Sequence, residues 1–455
     1  MKKILILLLA ITLFSCQEDV KPTYVIFNGT VENSPSNSVK IFGANFEKEL
    51  VISDNGSFSD TLNIVTDGYY TMRVGRESSP VYLVQGANVG VTLNAKEFDE
   101  TLAYTGDVAA ENNYLAAKYL LSEKEMAFDK VYSLPETEFV TQVNTINASY
   151  TDLLSTTIGV SKEFIAKESK ELEYAHINNL ENYQEYYRYF TKNEAFVVSE
   201  TYYDSFKNFD FSETIAYENS NAYKRLLESH YGRIANELST RENIDIALAY
   251  LKTVDDNFDN GNTKDELMFN YLRYGMKANT ALEDVYNLYK TANQNPNNFA
   301  KATANYNVLK TLTPGNSSPT FTYENHKGGE TSLADLKGKI VYVDVWATWC
   351  GPCKREIPYL KEVEAEYHGK EIAFVSISID VKKDYDAWRN MVNEKELGGI
   401  QLMADNDWKS KFVTDYGIKG IPRFILIDAE GNIVNSDAPR PSSTKIREAL
   451  DGLLM

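Results

Sequence analysis

The chain has 455 residues, and its 46 basic and 65 acidic side chains give a formal charge of −19. A chain of this length forms roughly two to four domains, and a hydrophobic share of 43% with 12% aromatic residues excludes a largely disordered protein. The acidity argues against nucleic acid as a partner, because phosphate backbones bind to basic surfaces, and three cysteines are too few for a disulfide framework.

Residues 1–16 have the pattern of a secretory signal. Two lysines precede an apolar run that ends at Phe14 and is too short to span a membrane. The end of this segment, Leu13–Cys16, resembles a bacterial lipobox. The resemblance implies that Cys16 is lipidated and anchors the chain in the cell envelope, facing the periplasm or on the outer-membrane surface. The alternative is an ordinary signal peptide with a chance cysteine. Residues 17–23 are predicted to be an acidic tether.

Residues 24–105 are predicted to form a β-rich domain. Segments rich in β-branched and aromatic residues are separated by turn residues and predict six strands: Tyr24–Thr30, Val39–Phe42, Leu50–Ser53, Tyr69–Val74, Val81–Val84 and Val89–Leu93. Asn55 and Gly56 predict a hairpin after the third strand, because both tolerate the positive φ of a tight turn. Strands at this spacing predict a small β-sandwich.

Residues 106–312 are predicted to form an α-helical region that is acidic and rich in tyrosine. Its clearest apolar face has helical spacing and comprises Tyr223, Leu226, Leu227, Tyr231, Ile234 and Leu238. Residues 313–319 contain two prolines, a glycine and four small polar residues, which is typical of a linker.

Residues 320–455 are predicted to form an α/β domain. Ile340–Val345, Ile372–Ile379 and Phe424–Ile427 read as strands of the buried parallel type. Helices are predicted between and after them, at about 357–367, 384–396, 408–415 and 443–454.

A C-x-x-C motif lies where the first of these strands leads into a helix, and it comprises Cys350, Gly351, Pro352 and Cys353. At a strand-to-helix turn this motif predicts a redox dithiol. Cys350 would lie at the helix N-terminus, where free N–H groups and the helix dipole stabilise a thiolate. We therefore predict that Cys350 is the nucleophile and Cys353 the resolving thiol.

Two other interpretations of the motif are weaker. A structural zinc site needs four ligands, but the only other cysteine is Cys16, and the nearest histidines, His326 and His368, lack paired spacing. A purely structural disulfide across two residues would constrain the unfolded chain very little. No metal and no cofactor are therefore expected.

The segment from Val343 to Lys354 resembles the active-site segment of the thioredoxin superfamily, and the resemblance extends over roughly residues 317–455. Gly420–Pro422 matches the cis-proline loop of that family. The resemblance implies that the substrate contacts Ile421 and Pro422 and the motif residues Trp349, Gly351 and Pro352.

The same resemblance assigns roles to two further residues. Pro358 matches the kink in the active-site helix. Asp344 matches a buried acid with a raised pKa that accepts the proton of the resolving Cys353. The lysine that thioredoxins pair with this acid is absent, because the matching strand, Ser376–Ile379, contains none.

Four features resemble the TlpA/ResA-like membrane-anchored thiol-disulfide oxidoreductases: the entry Pro319–Thr322, the segments Gly328–Leu336 and Leu336–Lys339, and an extra predicted helix at Asp384–Glu396. Peroxiredoxins share this outline but place their reactive cysteine in a different motif. The β-rich part resembles the N-terminal domain that precedes such domains in Bacteroidetes lipoproteins.

The sequence therefore predicts a reductase of disulfides in secreted proteins or apocytochromes, supplied by a membrane electron donor. A disulfide oxidase or isomerase is the alternative within this chemistry. A different alternative is a surface binding or scaffold lipoprotein in which residues 24–312 capture a partner and the redox domain is accessory.

Overall fold

The computed structural model describes residues 22–43, 45–293 and 295–454. Cys16, predicted to carry the lipid, lies outside these described residues. The described chain divides into two compact units. The first extends to Phe209 and includes Ser220–Leu226, and the second comprises Asp210–Asn219 and the residues from Leu227 onward. No helix within the described residues is long and apolar enough to cross a membrane.

The first unit begins with a β-sandwich, as predicted. Its strands are β1 Val25–Glu32, β2 Ser38–Gly43, β3 Phe46–Val51, β4 Ser57–Leu62, β5 Gly68–Val74, β6 Glu77–Leu83, β7 Asn88–Asn94 and β8 Ala103–Gly106. They form two four-stranded sheets in the orders β4-β1-β7-β8 and β3-β2-β5-β6. Alternate residues of both sheets, including Phe27 and Ile41, are fully buried in one shared apolar core.

The turn at Asn55 and Gly56 does not form the predicted hairpin. Gly56 adopts the expected positive φ of 81° and its N–H bonds to the Ser53 carbonyl at 2.8 Å. However, β3 pairs with β2 and β4 pairs with β1, so the turn leads from one sheet to the other. A turn signal specifies local backbone geometry and not the sheet that the next strand joins. The strands β4 and β8 were not predicted, because their composition is largely polar or too short to show a pattern.

The helical region is confirmed. One short helix, α1 Phe98–Thr101, lies between β7 and β8 of the sandwich. The helices of the helical region are α2 Ala109–Glu125, α3 Phe128–Val131, α4 Glu136–Thr156, α5 Lys162–Glu181, α6 Tyr183–Thr191, α7 Thr214–Asn219, α8 Asn221–Glu242, α9 Ile246–Asn257, α10 Asn262–Gly275, α11 Leu282–Ala292 and α12 Pro296–Thr311, with a 3₁₀ turn at Tyr202–Ser205. Tyr223, Leu226 and Leu227 of the predicted α8 face are fully buried. Asp245 caps α9 by accepting from two backbone N–H groups, which explains where that helix begins.

A buried carboxylate connects the helices of the first unit to its sandwich. Glu168 on α5 has no exposed surface and forms an ion pair with Lys118 of α2. It also accepts hydrogen bonds from the hydroxyls of Tyr69 on β5 and Tyr114 on α2. A charge buried this completely is tolerated only because each of its oxygens has a donor.

The second unit contains the predicted α/β domain. Its strands are β9 Thr322–Asn325, β10 Glu330–Ser332, β11 Ile340–Trp346, β12 Ile372–Ser378, β13 Ile400–Met403, β14 Arg423–Ile427 and β15 Ile433–Asn435. They form a sheet in the order β10-β9-β13-β12-β11-β14-β15. The helices are α13 Gly351–Glu366, α14 Tyr385–Glu394, α15 Lys411–Asp415 and α16 Lys445–Leu454, with 3₁₀ turns at Leu333–Leu336, Lys382–Asp384 and Asp407–Lys409.

Two predictions about this sheet were wrong or incomplete. Phe424–Ile427 lies in the sheet, but β14 runs antiparallel to β11 and not parallel to it. A continuous apolar run indicates burial on both faces and does not determine strand direction. The extra segment after Asp380 was predicted to add a helix; it adds α14 and also the strand β13, which pairs in parallel with β12.

The core of the α/β domain extends beyond its predicted start. Leu312, just after α12, is 1% exposed and belongs to the apolar cluster that also contains Cys350 and Cys353. The segment 313–319 lies against the start of β15: the Gly315 N–H bonds to the Ile433 carbonyl at 2.8 Å. The helices α9–α12 therefore belong to the same compact unit as the sheet.

Candidate active site

Cys350 lies at the N-terminal end of α13. The strand β11 ends at Trp346, and a short turn leads to Cys350, which is the N-cap residue of the helix. Its Sγ accepts a hydrogen bond from the Cys353 N–H at 3.1 Å. Gly351 and Pro352 follow in the first turn, where a proline costs no helical hydrogen bond. The free N–H groups of this turn favour negative charge on the Cys350 sulfur.

Cys350 and Cys353 form a disulfide, with their Cα atoms 5.3 Å apart. Each cysteine is only 4% exposed, whereas Trp349 beside them is 54% exposed and Pro352 is also exposed. Trp349 and Pro352 are therefore the exposed residues next to the buried disulfide. The indole rings of Trp349 and Trp408 lie 6.4 Å apart on this surface.

A buried carboxylate holds the turn before Cys350. Asp380 follows β12 and is 1% exposed. It accepts from the Thr348 backbone N–H at 2.9 Å, from the Thr348 hydroxyl at 2.7 Å and from the Ser378 hydroxyl at 2.7 Å. These bonds fix the backbone immediately before the redox motif. Asp380 was not among the predicted site residues; its signal in the sequence is an acidic residue placed two positions after a strand that is apolar apart from two serines.

Asp344 and Cys353 line the same small cavity. Asp344 lies within β11 opposite Ser376 of β12, and its side chain is buried. Burial, followed by the negative charges of Glu356 and Glu364, raises the pKa of Asp344 to about 8, while a hydrogen bond from Ser376 opposes the rise. The carboxyl group is therefore mostly protonated at neutral pH.

A lysine lines this cavity although none is present on β12. Lys361 and Glu364, both on α13, form part of the wall together with Cys353. Burial raises the pKa of Glu364, and the positive charge of Lys361 partly offsets this rise. The Lys361 ammonium donates to the Lys395 carbonyl at 2.5 Å. Helical spacing from Cys353 could have indicated both residues, because eight and eleven positions along a helix lead to about the same face.

The Ile421–Pro422 peptide bond is cis, as the loop motif predicted. Arg423 begins β14 and pairs with Val345 near the end of β11. The cis-proline and the redox motif therefore lie at the same end of the sheet. Ile421 packs against the apolar cluster that contains both cysteines.

The site combines three features: a C-x-x-C disulfide at a helix N-terminus, a buried acid behind it and a cis-proline at the neighbouring strand. Together they define a thioredoxin-fold thiol-disulfide oxidoreductase. Residues 313–453 match the Redoxin family model. The chain is 31% identical to the thiol-disulfide oxidoreductase ResA of Bacillus thuringiensis over 140 residues, 31% of this chain and 76% of that protein.

Further relatives carry the same description. ResA of Bacillus subtilis is 28% identical over 125 residues, 28% of this chain and 67% of that protein. A solved thioredoxin domain of a Bacteroides vulgatus thiol-disulfide oxidoreductase is 28% identical and covers 32% of this chain and 99% of its own, with a TM-score of 0.29. On the match to ResA, the chain belongs to the TlpA/ResA-like family of thiol-disulfide oxidoreductases.

Proposed function

We propose that this protein is a lipid-anchored reductase of protein disulfides outside the cytoplasm. The observation that carries the proposal is the placement of Cys350 at the N-cap of α13, next to a resolving cysteine that shares a cavity with the buried Asp344. Cys16, as the lipid anchor, would hold the enzyme at the membrane.

The first chemical step belongs to Cys350. In the reduced enzyme its thiolate attacks one sulfur of a protein disulfide, which forms a mixed disulfide and releases the other substrate sulfur as a thiolate. The helix N-terminus stabilises the attacking thiolate. In this scheme Trp349, Gly351, Pro352, Ile421 and Pro422 form the surface that contacts the substrate.

The second step uses Cys353 and Asp344. Ionised Asp344 accepts the Cys353 proton, and the resulting thiolate attacks the Cys350 sulfur. The substrate leaves as a dithiol with two added electrons, and the Cys350–Cys353 disulfide remains. A pKa of about 8 suits a group that must both accept and return a proton near neutral pH. A dithiol donor at the membrane then reduces the disulfide and restores the enzyme.

The residues between the cysteines favour the reductive direction. Gly351 and Pro352 are the dipeptide of thioredoxins, whose potential is about −270 mV, so we expect a similar value here. Disulfides of secreted proteins or apocytochromes are the proposed substrates. Equilibration of the full chain with glutathione buffers measures the potential, and a value near the roughly −120 mV of DsbA would favour an oxidase instead.

Trapping of mixed disulfides tests the role of Cys350 as nucleophile and the role of Cys353 as resolving thiol. In Cys353→Ser the resolving step is blocked, so we expect covalent complexes with oxidised envelope proteins that dithiothreitol releases. Cys350→Ser is the matched control and should trap much less, because the remaining thiol, Cys353, lies inside the first turn of α13 and not at its N-cap, where the free N–H groups stabilise a thiolate. Equal trapping by the two variants would contradict the assignment of Cys350 as nucleophile.

A further inference from the structure

A groove within the second unit lies beside the loop that leads to the cis-proline. Its walls come from α10, from α12 and from the loop after α15. The residues that give it chemical character are Phe269, Arg273 and Tyr274 of α10, Lys301 of α12 and Lys419 of the loop. Tyr274 is 65% exposed, so an aromatic surface is open to solvent here.

Lys419 connects the groove to the active site. Its ammonium group donates to the Arg273 carbonyl at 3.1 Å and to the Asn305 side-chain oxygen at 2.8 Å, which ties the loop to α10 and α12. Lys419 precedes Ile421 by two residues, so their Cα atoms are at most about 7 Å apart. A polypeptide that pairs with the Ile421 backbone would therefore reach the groove within a few residues.

The groove is cationic in a protein with a charge of −19. Within the described chain, none of Arg273, Lys301 and Lys419 forms an ion pair with a carboxylate. The Lys301 ammonium nitrogen lies 6.0 Å from the centre of the Phe269 ring, and the Arg273 guanidinium carbon lies 5.6 Å from the centre of the Tyr274 ring. Partial burial, then repulsion by Arg273 and Arg423, lowers the pKa of Lys419. Three cations without carboxylate partners fit an anionic occupant.

We propose that this groove binds the polypeptide segment next to the target cysteine of a disulfide substrate and selects segments that carry acidic and aromatic side chains. The proposal rests on the reductase function above, because it requires the substrate to lie along the cis-proline loop. At about 3.3 Å per residue, side chains roughly two to four positions from the cysteine would meet Lys419, Arg273 and Lys301. The carboxylates would pair with the cations, and an aromatic side chain would pack on Tyr274.

Two peptides with the same internal disulfide test this selectivity on the full chain in detergent. One carries Asp at the second and third positions after its cysteine, and the other carries Lys there. We expect kcat/KM to be about tenfold higher for the acidic peptide at low salt, since each exposed ion pair contributes only a few-fold. The preference should shrink towards unity in 1 M NaCl. Equal values for the two peptides at low salt would overturn the groove proposal.

Charge-reversal variants test whether the preference for the acidic peptide comes from the groove. The double variant Arg273→Glu, Lys301→Glu should abolish or invert the preference. The matched control Lys337→Glu, Lys339→Glu makes the same change of charge at the opposite end of β11 and should keep it. Loss of the preference in both would assign it to net charge and refute the groove. Reduction of the neutral 2-hydroxyethyl disulfide by the wild-type chain separates the two proposals: no turnover rejects the reductase function, whereas turnover without peptide preference rejects the groove alone.

Discussion

Asp344→Asn should make the α/β domain more stable, and increasingly so as the pH rises. In the folded protein the pKa of Asp344 is raised from 3.8 to about 8. Between these two values the folded state keeps a proton that the unfolded state has lost, so the free energy of unfolding falls as pH rises. Asparagine carries no such proton and removes this dependence.

The size of the stability difference follows from the pH range between the two pKa values of Asp344, 3.8 in the unfolded state and about 8 in the folded state. One pKa unit corresponds to about 1.36 kcal/mol, so burial of the Asp344 carboxyl costs roughly 2 kcal/mol at pH 5 and roughly 5 kcal/mol at pH 8. We therefore expect the stability difference between Asp344→Asn and wild type to grow by about 3 to 4 kcal/mol over this range. Any constant effect of the amide cancels in that comparison.

Tryptophan fluorescence can measure the stability of the α/β domain in both proteins. The four tryptophans of the chain all lie between residues 346 and 408, so their fluorescence during urea unfolding follows the α/β domain. Both proteins are compared in the oxidised state at each pH. Asp335→Asn is the matched control, because the pKa of Asp335 is lowered by its hydrogen bonds from Ser332 and the variant should gain nothing as pH rises from 5 to 8. A wild-type to Asp344→Asn difference that stays constant with pH would refute the reasoning.

Two further substitutions test buried carboxylates. Asp380→Asn loses acceptors for Thr348 and Ser378 and should destabilise the α/β domain by about 2 kcal/mol in the same fluorescence assay; unchanged stability would mean that the turn before Cys350 is held by other contacts. Glu168→Gln leaves the Lys118 ammonium without its carboxylate and should cost about 3 kcal/mol, measured by circular dichroism during thermal unfolding. An effect below about 1 kcal/mol would indicate that this pair behaves like an exposed one.

The parts of the fold that were predictable are those with strong local patterns. The strand before Cys350 and the helix after it follow from an apolar run and a motif that require that arrangement. The direction of β14 and the partner of β4 depend on contacts between residues far apart in the chain, and no local pattern encodes them. The strand β13 is only four residues long, too short for a periodic signal.

The candidate site was also predictable only in part, namely where a local motif marks the residue. Cys350, Cys353 and the cis bond before Pro422 were predicted from motifs. Asp380 and Lys361 were missed, because their importance comes from what the fold brings next to them: Asp380 meets a turn 32 residues earlier, and Lys361 lines a cavity with a strand on the other side. The substrate roles of Ile421 and Pro422 stay predictions.

The burial of Leu312 shows that the α/β domain needs residues before position 313 to complete its core. The family match begins one residue after Leu312, yet this side chain completes the apolar core around the two cysteines. A Cβ placed on Gly417 would lie 3.3 Å from Val308 of α12, so that helix also contacts the loop before Pro422. A fragment cut at residue 313 would keep the dithiol but lose the Asn305 oxygen that holds Lys419. If the groove binds substrates as proposed above, such a fragment would also lack Arg273 and Lys301 and would lose the preference for acidic segments.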